Sequence, residues 1–297
     1  MKYSVAILLL LRMAVSVPLE AQNRYYHPPE PFRVGYLPDM AKGTSSLFFL
    51  DGRLWTCNDH GPLLMMAIDT VSGRIDSLVD LGVRVKDMEE VCQDSQYLYF
   101  GDFGNNRGKR TDLRILRLEK ASLGMPPYRF DTITFEYPSH SRIMLRNYDC
   151  EAFVCGDDSL YLFTKQWLTH GSVCYALPKE PGHYEAQRRF AIPVEGLLTG
   201  ACFLPDKRCL VLVGYTLSIK PFIYVIDQFE GEDFEKGRHR RTPLNAGMAT
   251  QTEGVATWDG KHLFLSCETL RRGSVLRRAA LFTLDLIGLP DSSNVMP

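Results

Sequence analysis

Residues 86–120 read KDMEEVCQDSQYLYFGDFGNNRGKRTDLRILRLEK. An acidic start runs into a short apolar strand, MEEVCQ at 88–93, and Asp94 and Ser95 turn the chain back into a second strand ending in YFGD. The polar loop FGNNRGKR at 103–110 leads to a third strand, LRILRL at 113–118. Strand-forming runs punctuated by Asp, Ser, Gly and Asn describe an antiparallel meander.

Four further copies of this paragraph align on it. Their second strands are LWTCNDHG at 54–61, LYLFTKQW at 160–167, LVLVGYTL at 210–217 and LFLSCETL at 263–270. A turn precedes every one, such as Asp51-Gly52 or Asp259-Gly260, residues that tolerate the backbone angles of tight hairpins. First strands start near 45, 89, 151, 200 and 253, so the period is loosely 44 to 62 residues. A repeat of that length built from strands predicts an all-β fold, a single β-propeller of four-stranded blades. Fourth strands are readable at 74–81, 130–138 and 186–194, but none follows the last copy. FRVGYLP at 32–38 is free to fill that place, closing the ring and removing a sheet edge. The expectation is five blades, or six if the 62-residue interval between copies two and three holds an irregular extra blade.

The N-terminus, MKYSVAILLLLRMAVSVPLEAQ, has one Lys, a short apolar run and a small-residue exit. That pattern predicts a signal peptide over residues 1–22 and one propeller domain over 23–297, exported to the periplasm or beyond the cell. No later segment is apolar for long enough to span a bilayer. A net charge of −1 gives no reason to expect nucleic acid as a partner, and a monomer is expected. Most of the eight cysteines fall at apolar strand positions and read as buried thiols, with room for one bridge. The seven histidines show no metal-ligand spacing, and GxSxG, HExxH and Walker motifs are absent.

In a propeller the first strands line the channel, and the loops between second and third strands crowd the same mouth. At the aligned first-strand position the copies read Ser45, Glu89, Glu151, Gly200 and Glu253, with Asp87, Glu90, Asp149 and Gln251 flanking. Carboxylates gathered near an axis need compensation, either from a cation or from neighbouring backbone donors and water. Oxygen-only ligands point to calcium or magnesium, with Glu89, Glu151 and Glu253 as the metal set. The loops add Asp102 as a further ligand or general base, and Glu268 beside the reacting position. Asn105, Asn106, Arg107 and Lys165 are candidates for holding an anionic substrate. KGRHRR at 236–241 reads as a solvated loop between blades.

DMEEV with LYFGDFGNNR and LRILRL, DCEAF with LYLFTKQW, and QTEGVA with LFLSCE together resemble exported bacterial β-propellers related to the esterase-like phytase family. The resemblance covers most of residues 40–286. It implies a calcium-tolerant funnel and hydrolysis of a phosphate or carboxylic ester. Besides a secreted structural accessory with a calcium plug, two functions are expected to compete. One is a divalent-metal-assisted hydrolase of phosphoesters, esters or lactones acting on a small anionic ligand. The other is a non-catalytic propeller recognising a protein or glycan of the cell envelope.

Overall fold

The computed structural model describes residues 28–138, 146–245, 251–272 and 275–286. The expected signal peptide lies outside the described residues. Five sheets follow one another along the chain as a five-bladed β-propeller. Blade one runs from the channel outward as Phe48–Leu50, Arg53–Cys57, Gly61–Ile68 and Ile75–Val85. Blade two follows as Met88–Gln93, Tyr97–Asp102, Arg114–Glu119 and Phe130–Glu136. Blade three is Asp149–Cys155, Ser159–Lys165, Ser172–Pro178 and Gln187–Ile192, and blade four is Leu197–Leu204, Cys209–Tyr215, Pro221–Asp227 and Arg238–Pro243. Blade five takes Thr252–Ala256, His262–Cys267 and Ala280–Asp285 from the C-terminal part.

The fourth strand of blade five is Phe32–Tyr36, paired antiparallel to Ala280–Asp285 from Phe32 opposite Thr283 to Tyr36 opposite Ala280. The ring is closed by the first strand among the described residues, as its sequence predicts. Blade sheets lie face to face, so a middle strand is covered on both sides and reads as a continuous apolar run; all seven residues of Cys209–Tyr215 are buried. The outermost strand of blade one meets solvent on one face, and its exposure alternates along Ile75–Val85. Five apolar clusters fill the five seams between neighbouring blades. Between blades two and three, Phe103 packs edge-on against Phe153 with ring centres 5.2 Å apart. Such a pair contributes about 0.5–1.5 kcal/mol beyond its buried area. At the blade-one hairpin both Asp51 and Gly52 have positive φ, +50° and +74°, the geometry that Asp-Gly tolerates.

Two expectations are corrected. The long interval between blades two and three contains no sixth blade among the described residues; it holds the 103–113 loop and the outer strand of blade two. That sheet gains a fifth strand from blade three, Gly182–Glu185, which pairs in parallel with Phe130–Glu136. KGRHRR is not a solvated loop either, because Arg238–Pro243 forms the outer strand of blade four. Asp227 on the neighbouring strand holds Arg238 at 2.9 Å and Arg240 at 2.6 Å, and Arg241 lies over the Phe222 ring. Outward-facing arginines on an edge strand look like a loop in sequence because charge is what an edge strand carries. The cysteines form no disulfide among the described residues.

Candidate functional site

Every inner strand begins with the same irregularity. In blade two Met88 faces Asp102 and Glu90 faces Gly101, which leaves Glu89 as an extra residue in a β-bulge. The pairings of blades three and five bulge in the same way at Glu151 and Glu253. Blade one repeats the step at Ser45, between the Thr44–Asn58 bridge and the contact of Ser46 Oγ with Cys57 N. A bulge re-aims its extra side chain, here towards the channel mouth. In blade four the bulged residue is Thr199, since Leu198 faces Gly214 and Gly200 faces Val213. The expected alignment on Gly200 is therefore off by one.

Gly200 has a different task. A Cβ there would sit 2.4 Å from Glu253 O on the neighbouring inner strand, and one at Gly254 would sit 2.9 Å from Leu47 N. Five inner strands crowd a narrow axis, so the position after the bulge must be small: Ser46, Ala152, Gly200 and Gly254. Blade two breaks this rule with Glu90, which is fully buried. Its carboxyl accepts from Val91 N at 2.9 Å and from Ala201 N of blade four at 3.1 Å, with Leu47 N of blade one also donating to it. Glu90 thus staples three blades across the axis. Burial pushes its pKa well up despite these donors.

A residue at or just past the end of each second strand stands beside the bulge. These partners are Asp59, Phe103, Lys165, Tyr215 and Glu268 in blades one to five. In blade three the result is an ion pair: Lys165 Nζ lies 2.5 Å from Glu151 Oε2, both side chains almost fully buried. Lys165 also lies over the rings of Trp167, at 4.8 Å, and Tyr215, at 5.4 Å. Burial opposes its charge, but Glu151, Tyr215, Glu253 and Asp149 around it hold the ammonium protonated well above the ordinary lysine range. Asp149 is anchored by Trp167 Nε1 at 2.8 Å and Asn105 N at 2.6 Å.

Blade five is the opposite case, with two carboxyls side by side. Burial pushes Glu253 up to about 8, Lys165 pulls it down, and Glu268 adds to the rise. Glu268 is only half-buried, and burial raises it too. On blade two, Glu89 is raised well above the ordinary range by burial and then by Glu151, Asp87 and Asp149. Gly104 lies directly against this cluster; a Cβ there would meet Glu89 Oε1 at 2.0 Å and the Asp87 carboxyl at 2.6 Å. The glycine of the GDFGNN loop is needed for this close approach.

The structure brings Glu89, Glu151, Glu253, Lys165 and Glu268 into one mouth. It does not make Glu89, Glu151 and Glu253 a ready metal set: Glu151 is engaged by Lys165, and no group of three or more His, Cys, Asp or Glu among the described residues is placed to hold a metal ion. Lys165 is likewise not a free anion-binding arm. Asp102, expected as a base, is fully buried and saturated. Lys86 N, Asp87 N and Arg110 Nη2 donate to Oδ1, each at 3.1 Å, and Arg114 Nε donates to Oδ2 at 2.9 Å. Asn105 turns inward, its Oδ1 accepting from Arg110 N at 2.8 Å. Asn106 and Arg107 are exposed at the loop tip. Trp167, just past the second strand of blade three, and Tyr215, the last residue of that of blade four, form the lysine's aromatic walls.

No protein-family model and no curated protein matches the chain. The chain is similar to several solved structures. A crystal structure described as a putative 6-phosphogluconolactonase from Bacteroides uniformis is 15% identical, covering 79% of this chain and 70% of its own, with a TM-score of 0.42. A glucose dehydrogenase is 13% identical over 84% of this chain and 80% of its own, with a TM-score of 0.46. The computationally designed Ika4 protein is 9% identical over 71% of this chain and 98% of its own, with a TM-score of 0.33. No helix among the described residues is long and apolar enough to cross a membrane.

Proposed function

We propose that the mouth binds a small carboxylic ester or lactone and hydrolyses it by acid–base catalysis on blade five. The observation that carries this reading is Glu253, a buried carboxyl that keeps its proton up to about pH 8, standing beside the half-open Glu268. Two carboxyls in one site whose environments differ suit opposite proton-transfer roles. Glu268, nearer solvent, takes a proton from a water molecule as its oxygen attacks the carbonyl carbon. Glu253 donates its proton to the leaving oxygen as the ester bond breaks. A mouth this rich in acids repels a phosphoester dianion, so a neutral ester or lactone is preferred.

A second reading rests on the other side of the mouth, where the Asp87 and Glu89 carboxyls crowd over Gly104 and burial raises both, although Arg110 lowers Asp87 and Lys165 lowers Glu89. Calcium or magnesium held by Asp87 and Glu89 would relieve that repulsion and extend the substrate range to phosphoesters. Export to the cell envelope, from the N-terminal sequence, is part of both readings.

Hydrolysis of p-nitrophenyl acetate, aliphatic lactones and p-nitrophenyl phosphate tests them, with and without calcium. Ester or lactone turnover without metal, falling about 10²–10⁴-fold in Glu253→Gln, is the expected result. Turnover confined to the phosphoester with calcium, and lost in Glu89→Gln, would favour the second reading. Absence of turnover on all three classes would leave a binding propeller that recognises an envelope protein or glycan.

A further inference from the structure

At the other end of the channel the chemistry changes from oxygen to sulfur. The inner strands there enclose a cavity of about 160 Å³. Three half-buried thiols border it, those of Cys92, Cys155 and Cys202. Cys92 belongs to blade two and Cys155 to blade three, and both pack into the seam between these blades. Both line the same cavity, and each thiol acts on the titration of the other. An ion pair backs the Cys155 end of the pair. Asp94 accepts from Lys179 Nζ at 2.7 Å and from Tyr99 OH at 2.9 Å, and Cys155 Sγ lies 3.9 Å from the same Asp94 oxygen. Lys179 also donates to Gly156 O at 3.2 Å, so its ammonium is tied down next to Cys155. A polar hollow of about 540 Å³, bordered by Asp94, Tyr99, Gly156 and Lys179, opens beside it.

The two thiols are not equivalent. Cys92 and the nearby Lys179 lower the Cys155 pKa against the opposing effects of burial and of Asp94, whereas burial pushes Cys92 well up. Cys202, on the same cavity but without a lysine, is pushed up to about 12. A lysine-supported thiolate next to a second thiol is the arrangement of an attacking and a resolving cysteine.

We propose that Cys155 and Cys92 form a reversible dithiol–disulfide pair that stitches blade two to blade three at the cavity end of the channel. The oxidant is an external disulfide, small-molecule or protein-borne. The Cys155 thiolate attacks one of its sulfurs, forming a mixed disulfide and releasing one thiolate. Cys92 then gives up its proton and attacks Cys155 Sγ, releasing the second thiolate. Two electrons pass to the oxidant, which leaves as two thiols.

The test is to incubate the folded protein with oxidised glutathione, alkylate the remaining thiols and map the peptides by mass spectrometry. The expected result is loss of both free thiols at Cys92 and Cys155 with the two peptides joined, while Cys57, Cys150 and Cys174 are alkylated only after unfolding. Cys92→Ser should stop at the glutathione adduct on Cys155, and Cys155→Ser should abolish adduct and cross-link alike. The oxidised protein should melt at a higher temperature than the reduced one, with no such difference in either variant. Full alkylation of Cys92 and Cys155 after treatment, or a cross-link through Cys202 instead, would overturn the proposal.

Discussion

Blades three and five build their ends of the mouth on one backbone plan and obtain opposite electrostatics. Both inner strands bulge at a glutamate, Glu151 or Glu253, and each has a charged residue beside it at or just past the end of the second strand. In blade three that residue is Lys165, and the pair neutralises itself at 2.5 Å. In blade five it is Glu268, and Glu253 is driven to hold a proton up to about 8. The bulge is therefore architecture, and the neighbouring residue decides whether a buried carboxyl becomes a strut or a proton donor. Blade four supports the distinction: Thr199 and Tyr215 stand at the same two places and carry no charged pair.

Removing the cation from blade three should break the comparison most strongly. Lys165→Met leaves Glu151 buried without its partner, and a loss of about 3–5 kcal/mol is expected in chemical denaturation. A loss below about 1 kcal/mol would mean that Glu151 simply takes up a proton, making blade three no different from blade five.

A smaller effect of defined sign is expected from Glu253→Gln. The folded protein keeps the Glu253 proton to about pH 8, whereas the unfolded chain releases it near its ordinary value of 4.5. Between those values the unfolded state binds fewer protons, so stability falls as the pH rises. The full contribution is on the order of a few kcal/mol. Denaturation curves at about pH 5 and about pH 8 should show the parent losing stability and Glu253→Gln losing less; parallel losses would refute the shifted carboxyl.

The mildest change copies blade three into blade five. Glu268→Lys places a half-exposed cation next to Glu253, and a gain of about 1 kcal/mol or less is expected at pH 8. The same variant should lose ester or lactone turnover, since the group that takes the water's proton has gone. Retained turnover would move the base elsewhere in the mouth.

The repeats make the ring legible in the sequence, because a strand covered on both faces must be apolar and tight turns favour Gly, Asp or Pro. They also marked Glu89, Glu151 and Glu253, since a carboxylate is conspicuous where Val or Ile belongs. Register was harder. A bulge adds one residue without any composition of its own, so Gly200 stood in for Thr199 until the pairing was seen. Asp102 misled for a related reason: in sequence it is an acid at a strand end, and only the convergence of Arg110, Arg114 and two backbone amides shows that its oxygens are used up. Glu90 could not be told from Glu89 next to it, although one staples three blades and the other faces the mouth.

By itself the sequence determined the blade plan, the N-terminal closing strand and the gathering of acids at one end of the channel. These follow from local periodicity, which is written residue by residue along each strand. Tertiary structure alone decided which acids are neutralised, which keep a proton, and that Cys92 meets Cys155 across a seam. Charge state and thiol pairing depend on distances between residues far apart in the chain, and those distances exist only once the blades have packed.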